Sequence, residues 1–301
     1  MRRVALVYRA MKAALWFCLL ICLTGRLQAQ IQVELKLPRL QFIAYEPIVA
    51  TLRITNLAGR DVDLHDSDGQ AWFGFEVTGK EGQPIAPGGA TNPQPPLKIE
   101  AGKRVTQKIN LTSLYPVHDF GTYRVRAHIY FADLSKYFYS QTKVFEVTNA
   151  RPLWQKTVGI PEEISAPGTV RTYSLLTNRF SDHTSLYVRV EDKNSGVVYA
   201  TYSLGRIIVF DEPQAEIDRG NQLHVLHCVA PRSWTYSRVG LNGELVSHSS
   251  FMETKTRPRL ARTDQGGVAV RGGMLQTPTV SSSSTAPKLS DRPPEPPKDN
   301  E

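Results

Sequence analysis

DFGTYRVRAHIYFA, residues 119–132, puts Tyr123, Val125, Ala127, Ile129 and Phe131 at every second position, with Arg124, Arg126 and His128 between them. Successive side chains of a β-strand point to opposite faces, so this alternation predicts a strand with one face in a core. The same period recurs from residue 31 to about 148. Ile48, Ala50, Leu52 and Ile54 oppose Thr51, Arg53 and Thr55, and Val105, Ile109 and Leu111 oppose Arg104, Thr106 and Lys108. Turn-rich pieces (NLAGRD, GKEG, APGGATNPQPP) separate the strands, and no helical period competes with them. Several short strands over residues 30–149 predict a sandwich of two antiparallel sheets.

DFGTYRV also matches the immunoglobulin-type pattern Asp-x-Gly-x-Tyr-x-Cys. Asp119, Gly121 and Tyr123 are in place, and Val125 stands where the cysteine would be. Upstream, PIVATLRITNLAGRDVDL (47–64), WFGFEV (72–77) and GQPI (82–85) resemble bacterial immunoglobulin-like modules, including the BsuPI-type proteinase-inhibitor domain. The resemblance covers residues 31–148. It implies an immunoglobulin-like β-sandwich whose tyrosine hydroxyl bonds back to the chain near Pro116–Phe120. Valine for cysteine removes the family's disulfide and keeps the position apolar. A sandwich of this kind hosts unrelated functions, so function has to be argued from a site.

The N-terminus supplies a compartment. Residues 1–12 are basic, Ala13–Leu23 is an 11-residue apolar run, and RLQAQ follows with the small Ala29. This is the layout of a secretory signal peptide over residues 1–29, with the mature chain starting at Gln30. The run is shorter than the ~20 residues that span a bilayer, so no stable membrane span is expected after cleavage. Retention as an uncleaved anchor is the alternative. The expected location is exported, periplasmic or extracellular. Cys18 and Cys22 leave with the leader, and Cys228 alone remains, so no intrachain disulfide can form. Five of the eight net positive charges also belong to the leader, leaving +3 over the rest. The remaining Lys and Arg are interspersed with acids, a pattern that predicts no nucleic-acid partner.

Residues 150–275 carry a faint repeat. Shifted by 37 residues, SLYVRVEDKNSGVVYATYSLGRIIV (185–209) aligns without a gap on QLHVLHCVAPRSWTYSRVGLNGELV (222–246). RPRLARTDQGGVAV (257–270) echoes EPQAEIDRGNQLHV (212–225) as a partial third copy. Each copy reads as strand, turn, strand, turn, strand. Periods near 40 occur in propeller blades, but about 125 residues fall short of a closed propeller, which leaves a β-meander or a second sandwich. The segment 276–301, with six prolines and a serine run, predicts a disordered tail.

Chemistry-bearing residues are few. NQLHVLHCV (221–229) groups His224, His227 and Cys228. On a strand, Leu223, Val225 and His227 share one face and His224, Leu226 and Cys228 the other. His224 and Cys228 then stand roughly 13 Å apart, too far for one zinc ion. Neither a metal site nor a Cys–His nucleophile is expected there. The acidic run DVDLHDSDG holds Asp61, Asp63, His65, Asp66 and Asp68. Placing Gly69 at the sixth position of an EF-type calcium loop puts Leu64 and Phe75 where carboxylates belong, so that loop fails. A polar turn, or a cation site of another design, remains. Glu162 and Glu163 read as a solvated loop pair. Tyr130, Phe131, Tyr137 and Tyr139 either pack a hairpin or present an aromatic carbohydrate or peptide contact. No nucleophile-elbow, zincin, phosphate-loop or dinucleotide motif occurs.

Hence no catalytic, cofactor-binding or metal residues are assigned. The expectation is a non-enzymatic exported protein of the cell envelope, binding a protein or envelope partner in adhesion or assembly. The alternatives are a BsuPI-like proteinase inhibitor and, more distantly, a carbohydrate- or cation-binding module.

Overall fold

The computed structural model describes residues 30–88, 94–160 and 168–276. The leader 1–29, the pair Glu162 and Glu163, and the tail beyond Gln276 lie outside the described residues. The expected tail began one residue earlier, but Gln276 ends a strand.

Among the described residues, ten strands make the N-terminal half: β1 (Ile31–Lys36), β2 (Gln41–Ile43), β3 (Val49–Asn56), β4 (Val62–Leu64), β5 (Phe73–Thr78), β6 (Leu97–Ile99), β7 (Arg104–Asn110), β8 (Gly121–Phe131), β9 (Lys136–Tyr139) and β10 (Lys143–Thr148). One sheet runs β1-β3-β7. The other runs β2-β10-β8-β5 with β9 also on β8, and β4 pairs with β6. All these pairs are antiparallel except β2 with β10. The alternating residues meet between the sheets: Ile48, Ala50, Leu52 and Ile54 from one side, and Tyr123, Val125, Ala127, Ile129 and Phe131 from the other, all buried in one core. The Tyr123 ring stacks on Phe145 at 5.4 Å, and its hydroxyl donates to the Asp119 carbonyl at 2.8 Å, inside the expected window. Buried Asn56 bonds completely. Its amide donates to the carbonyls of Arg60, Ile99 and Glu100 and its oxygen accepts from Ala58 N–H, tying β3 to the end of β6.

The C-terminal half holds β11 (Arg151–Gly159), β12 (Val170–Arg179), β13 (Thr184–Asp192), β14 (Val197–Ile207), β15 (Gln214–Ile217), β16 (Leu223–Ala230), β17 (Ser233–Val239), β18 (Leu245–Met252), β19 (Arg259–Arg262), β20 (Val268–Arg271) and β21 (Met274–Gln276). They form two antiparallel meanders, β11-β12-β13-β14 and β15-β16-β17-β18-β21, and a β19-β20 hairpin. Leu175, Leu186, Val188 and Leu204 of the first meander share a core with Leu223, Val225 and Val239 of the second. The two expected forms are therefore both present, as two meanders packed into a sandwich. Leu260 and Val270 of the hairpin cover the outer face of the second sheet against Leu226, Cys228 and Trp234.

The 37-residue repeat holds for two strands and then fails. It lays β13 on β16 and β14 on β17. Where the second copy turns, with Gly240 N–H donating to the Glu244 carbonyl, β14 runs on unbroken to Ile207. β13 is also third in its meander while β16 is second. Alternation aligns any two half-buried hairpins, and only pairing across the sheet sets their rank. The shorter echo is sounder: a 45-residue offset lays the whole β15-β16 hairpin start on β19-β20.

The halves meet through side chains that leave no slack. Ile43 packs with Ala150, Leu176 and Tyr187. Glu46, only 5% exposed, pairs with Arg39, accepts from Ile43 N–H at 3.1 Å and bonds the Tyr187 hydroxyl. Arg189 Nη2 donates to the Ala44 carbonyl at 2.6 Å.

Candidate binding surface

Residues of β8 that alternate with its core positions form the outer face of the sheet. Register places Glu76 beside Arg126, Gly74 beside His128, His128 beside Tyr139, and Tyr130 beside Tyr137. These six side chains and the glycine make one strip. Tyr130 is its buried floor, with the Tyr137 ring 4.9 Å away. The His128 ring stands edge-on to Tyr137 at 5.5 Å, and Tyr139, 45% exposed, lies 6.1 Å from both His128 and Tyr137. Arg126 closes one end. Its guanidinium lies 4.3 Å from the Tyr139 ring centre and bonds Glu76 at 2.6–2.7 Å. Tyr137 donates to Gln70 Oε1 at 2.5 Å at the other end.

Gly74 is required for this arrangement. A Cβ there would stand 2.5 Å from His128 Nε2, so the ring lies where a side chain would otherwise be. Burial, opposed by Glu76, holds the His128 pKa below its usual value, and the imidazole is neutral at pH 7. Burial and the neighbouring phenols of Tyr130 and Tyr139 push the Tyr137 hydroxyl up, so it stays protonated and can donate. The strip therefore offers aromatic rings, one ion pair, a phenol and a neutral imidazole, which together suit contact with a ligand or partner.

The four aromatic residues singled out in the sequence are thus divided. Phe131 is fully buried in the core and Tyr130 is a floor, while Tyr137 and Tyr139 reach the surface. His128, Arg126, Glu76 and Gly74 were not singled out. Their signal was present as the polar half of the β8 alternation, but pairing with β5 and β9 is needed to assemble it.

His224, His227 and Cys228 do lie on one strand with the expected split of faces. His224 has an unexpected role. Its Nε2 lies 2.9 Å from Asp218 Oδ2 and its Nδ1 2.7 Å from the Tyr236 hydroxyl. Burial alone would raise the Asp218 pKa, but the bonds from His224 and the Gln222 and Gly220 backbone outweigh it and hold it low. Burial pushes the Tyr236 phenol up, and this chain of bonds braces the hairpin of β15 and β16. Cys228 donates to the Ala230 carbonyl at 3.2 Å, and burial, with Asp211 beside it, raises its pKa, the reverse of a reactive thiol.

The acidic run disperses into a turn. Asp61 accepts from Ala101 N–H and pairs with Lys98, and Asp66 accepts from Trp72 N–H at 2.9 Å. Asp68 accepts from Ser67 and takes φ +54°, and Asp63 stands 4.0 Å from His65. Leu64 and Phe75, the misfits of the calcium alignment, are core residues. Among the described residues no three His, Cys, Asp or Glu side chains gather to hold a metal ion, and no helix is long and apolar enough to cross a membrane.

No protein-family model matches this chain, and no curated protein is significantly similar to it.

Proposed function

We propose that the chain is a non-enzymatic exported protein of the cell envelope that binds an envelope partner through the outer aromatic strip of its N-terminal sandwich. The observation carrying this reading is the row Tyr137–Tyr139–His128–Arg126, with the His128 ring seated over Gly74 on a sheet face. Exposed tyrosines give large contact area at low entropic cost, and aromatic side chains and arginine are enriched in protein contacts.

The N-terminal half is best read as an immunoglobulin-like module. Its sheets β1-β3-β7 and β5-β8-β10 fall in the order of immunoglobulin strands A-B-E and C-F-G, and Tyr123 supplies the corner bond. The BsuPI-type identity and a blade-like ancestry for the C-terminal meanders belong to the same proposal and rest on the sequence resemblance. Export rests on the leader, residues 1–29.

Co-sedimentation of the mature chain with envelope fragments tests the reading. Saturable retention is expected, reduced at least tenfold in affinity by Tyr137→Ser with Tyr139→Ser. Equal retention of this double variant would refute the assigned surface. Stoichiometric loss of activity in a proteinase panel would favour the inhibitor reading instead.

A further inference from the structure

A second contact surface lies at one end of the C-terminal sandwich, away from the aromatic strip. Four of the six most exposed large apolar side chains among the described residues gather there: Phe210 at 98%, Val209 at 70%, Met274 at 58% and Leu275 at 57%. A phenylalanine left almost wholly in water forgoes the burial that drives folding, and a cluster of such side chains points to a partner.

The tip is held in place. Ile208 N–H donates to the Cys228 carbonyl at 2.9 Å and Asp211 N–H to the Ile208 carbonyl at 3.1 Å, closing a turn with Val209 and Phe210 at its centre. Ile208 packs behind them on the cluster of Leu226, Cys228 and Trp234. The Asp211 carboxylate pairs with Arg257, whose guanidinium lies 4.5 Å from the Trp234 ring centre. Gln214 Oε1 accepts from Leu260 N–H at 2.8 Å. The fold thus fixes the turn and leaves its two apolar side chains outside. Met274 and Leu275 are brought alongside by the same segment. A Cβ on Gly272 would stand 2.7 Å from the Arg257 carbonyl oxygen, and Gly273 N–H donates to the Thr256 carbonyl at 3.1 Å.

The charge around these residues is mostly of one sign. The β19-β20 register sets Arg259 directly opposite Arg271, both exposed, and neither has an ion-pair or hydrogen-bond partner among the described residues. Like charges facing each other across a strand pair repel. Arg232 and Lys255, on the neighbouring turns, are exposed and also lack a carboxylate partner among the described residues. Of the acids at this end, Asp211 is taken by Arg257, and Glu253 accepts from the Trp234 indole N–H at 3.2 Å. Exposed Glu212 is left against Arg232, Lys255, Arg259 and Arg271.

We propose that this end docks on an anionic lipid surface. Val209 and Phe210 enter the boundary between headgroups and acyl chains. Arg259, Arg271, Arg232 and Lys255 meet lipid phosphates, which supply the countercharge that the facing arginines lack. A turn whose two central side chains are this exposed protrudes, and a protruding apolar tip suits a soft surface better than a rigid one. Apolar insertion beside basic side chains is also the composition of peripheral contacts with anionic bilayers.

Sedimentation with vesicles tests this, using the chain from Gln30 onward so that the apolar leader cannot bind. Partitioning onto vesicles with about one third phosphatidylglycerol should exceed that onto phosphatidylcholine alone at least tenfold, and should fall in high salt. Val209→Ser with Phe210→Ser should lower it at least tenfold. Arg259→Gln with Arg271→Gln should lower it about tenfold and remove most of the preference for the anionic lipid. Leu40→Ser, at an exposed leucine elsewhere, should change nothing. Neither should Tyr137→Ser with Tyr139→Ser, so this surface stands or falls apart from the aromatic strip. In Phe210→Trp the added indole emission should shift to the blue on anionic vesicles and be quenched by brominated acyl chains. No preference for anionic vesicles up to about 1 mM lipid, full binding by the double serine variant at Val209 and Phe210, or an unquenched Phe210→Trp would each overturn the proposal. So would capture of a protein from lipid-free extract that depends on Val209 and Phe210, with no vesicle binding.

Discussion

His227 is the residue whose replacement tests the C-terminal core most sharply. It is fully buried on β16 and faces the other meander, and the Arg206 carbonyl, short of a well-aligned hydrogen bond, is the one backbone group that approaches its ring nitrogens among the described residues. Burial, with His248 adding to it, lowers its pKa from 6.5 to about 4, and the approach of the Arg206 carbonyl only partly offsets this. Between pH ~6.5 and ~4 the unfolded chain binds a proton at this site that the native chain refuses. Stability should therefore fall as pH drops through that window, and the loss is complete below the native value. That lowering corresponds to roughly 3 kcal/mol at full protonation of the unfolded form. Even at neutral pH, buried and unpaired imidazole nitrogens cost about 1–3 kcal/mol that an apolar side chain of similar size does not.

His227→Leu should accordingly raise stability by about 1–3 kcal/mol at pH 7.5, and its advantage should widen by up to about 3 kcal/mol toward pH 4. Urea melts of wild type and variant at pH 7.5, 6.0 and 5.0 read this directly. Taking the difference between the two proteins cancels the titrating groups that do not interact with His227; His248 does interact with it, so the same comparison is made in a His248→Gln background. A variant less stable than wild type at pH 7.5, or an advantage that does not change with pH, would refute the reasoning.

Other consequences follow from single contacts. Tyr123→Phe removes the bond to the Asp119 carbonyl and should cost about 0.5–1.5 kcal/mol, Tyr123→Ala about 3–5, and exposed Arg124→Ala under about 0.5, as read in denaturant melts. Glu46→Ala strips the partner from half-buried Arg39 and from the Tyr187 hydroxyl and should cost about 1–3 kcal/mol; an earlier, separate melting step for one half would show that the junction couples them. Gly74→Ala drives a Cβ into His128 Nε2, so it should cost about 1–3 kcal/mol in a melt and weaken retention on envelope fragments, whereas an unchanged retention would remove Gly74 from the proposed surface.

What could be read along the chain and what could not divides by physical range. Burial at Ile48, Ala50, Leu52 and Ile54, or at Tyr123 through Phe131, follows from alternation, because a strand's side chains take sides within two residues. The Tyr123 bond spans four residues and was expected from the resemblance of DFGTYRV to the immunoglobulin-type corner. The nonlocal contacts were not. Gly74 gives no signal of its own, and its value appears only when β5 pairs with β8 and brings His128 over it. Arg39 and Phe180 are 141 positions apart, and no local pattern announces that one will stack on the other. The His224–Asp218 bond is an intermediate case. The hairpin turn was visible, but the pairing of Glu216 with His224 that brings Asp218 within reach was not. The 37-residue repeat failed for the converse reason, since a periodic pattern carries no record of a strand's rank in its sheet. Composition and alternation specify which faces are buried, and nonlocal register decides which exposed residues become neighbours. A functional reading of this chain accordingly has to be argued from such neighbours, as with Tyr137 and Tyr139 beside His128 on one sheet face.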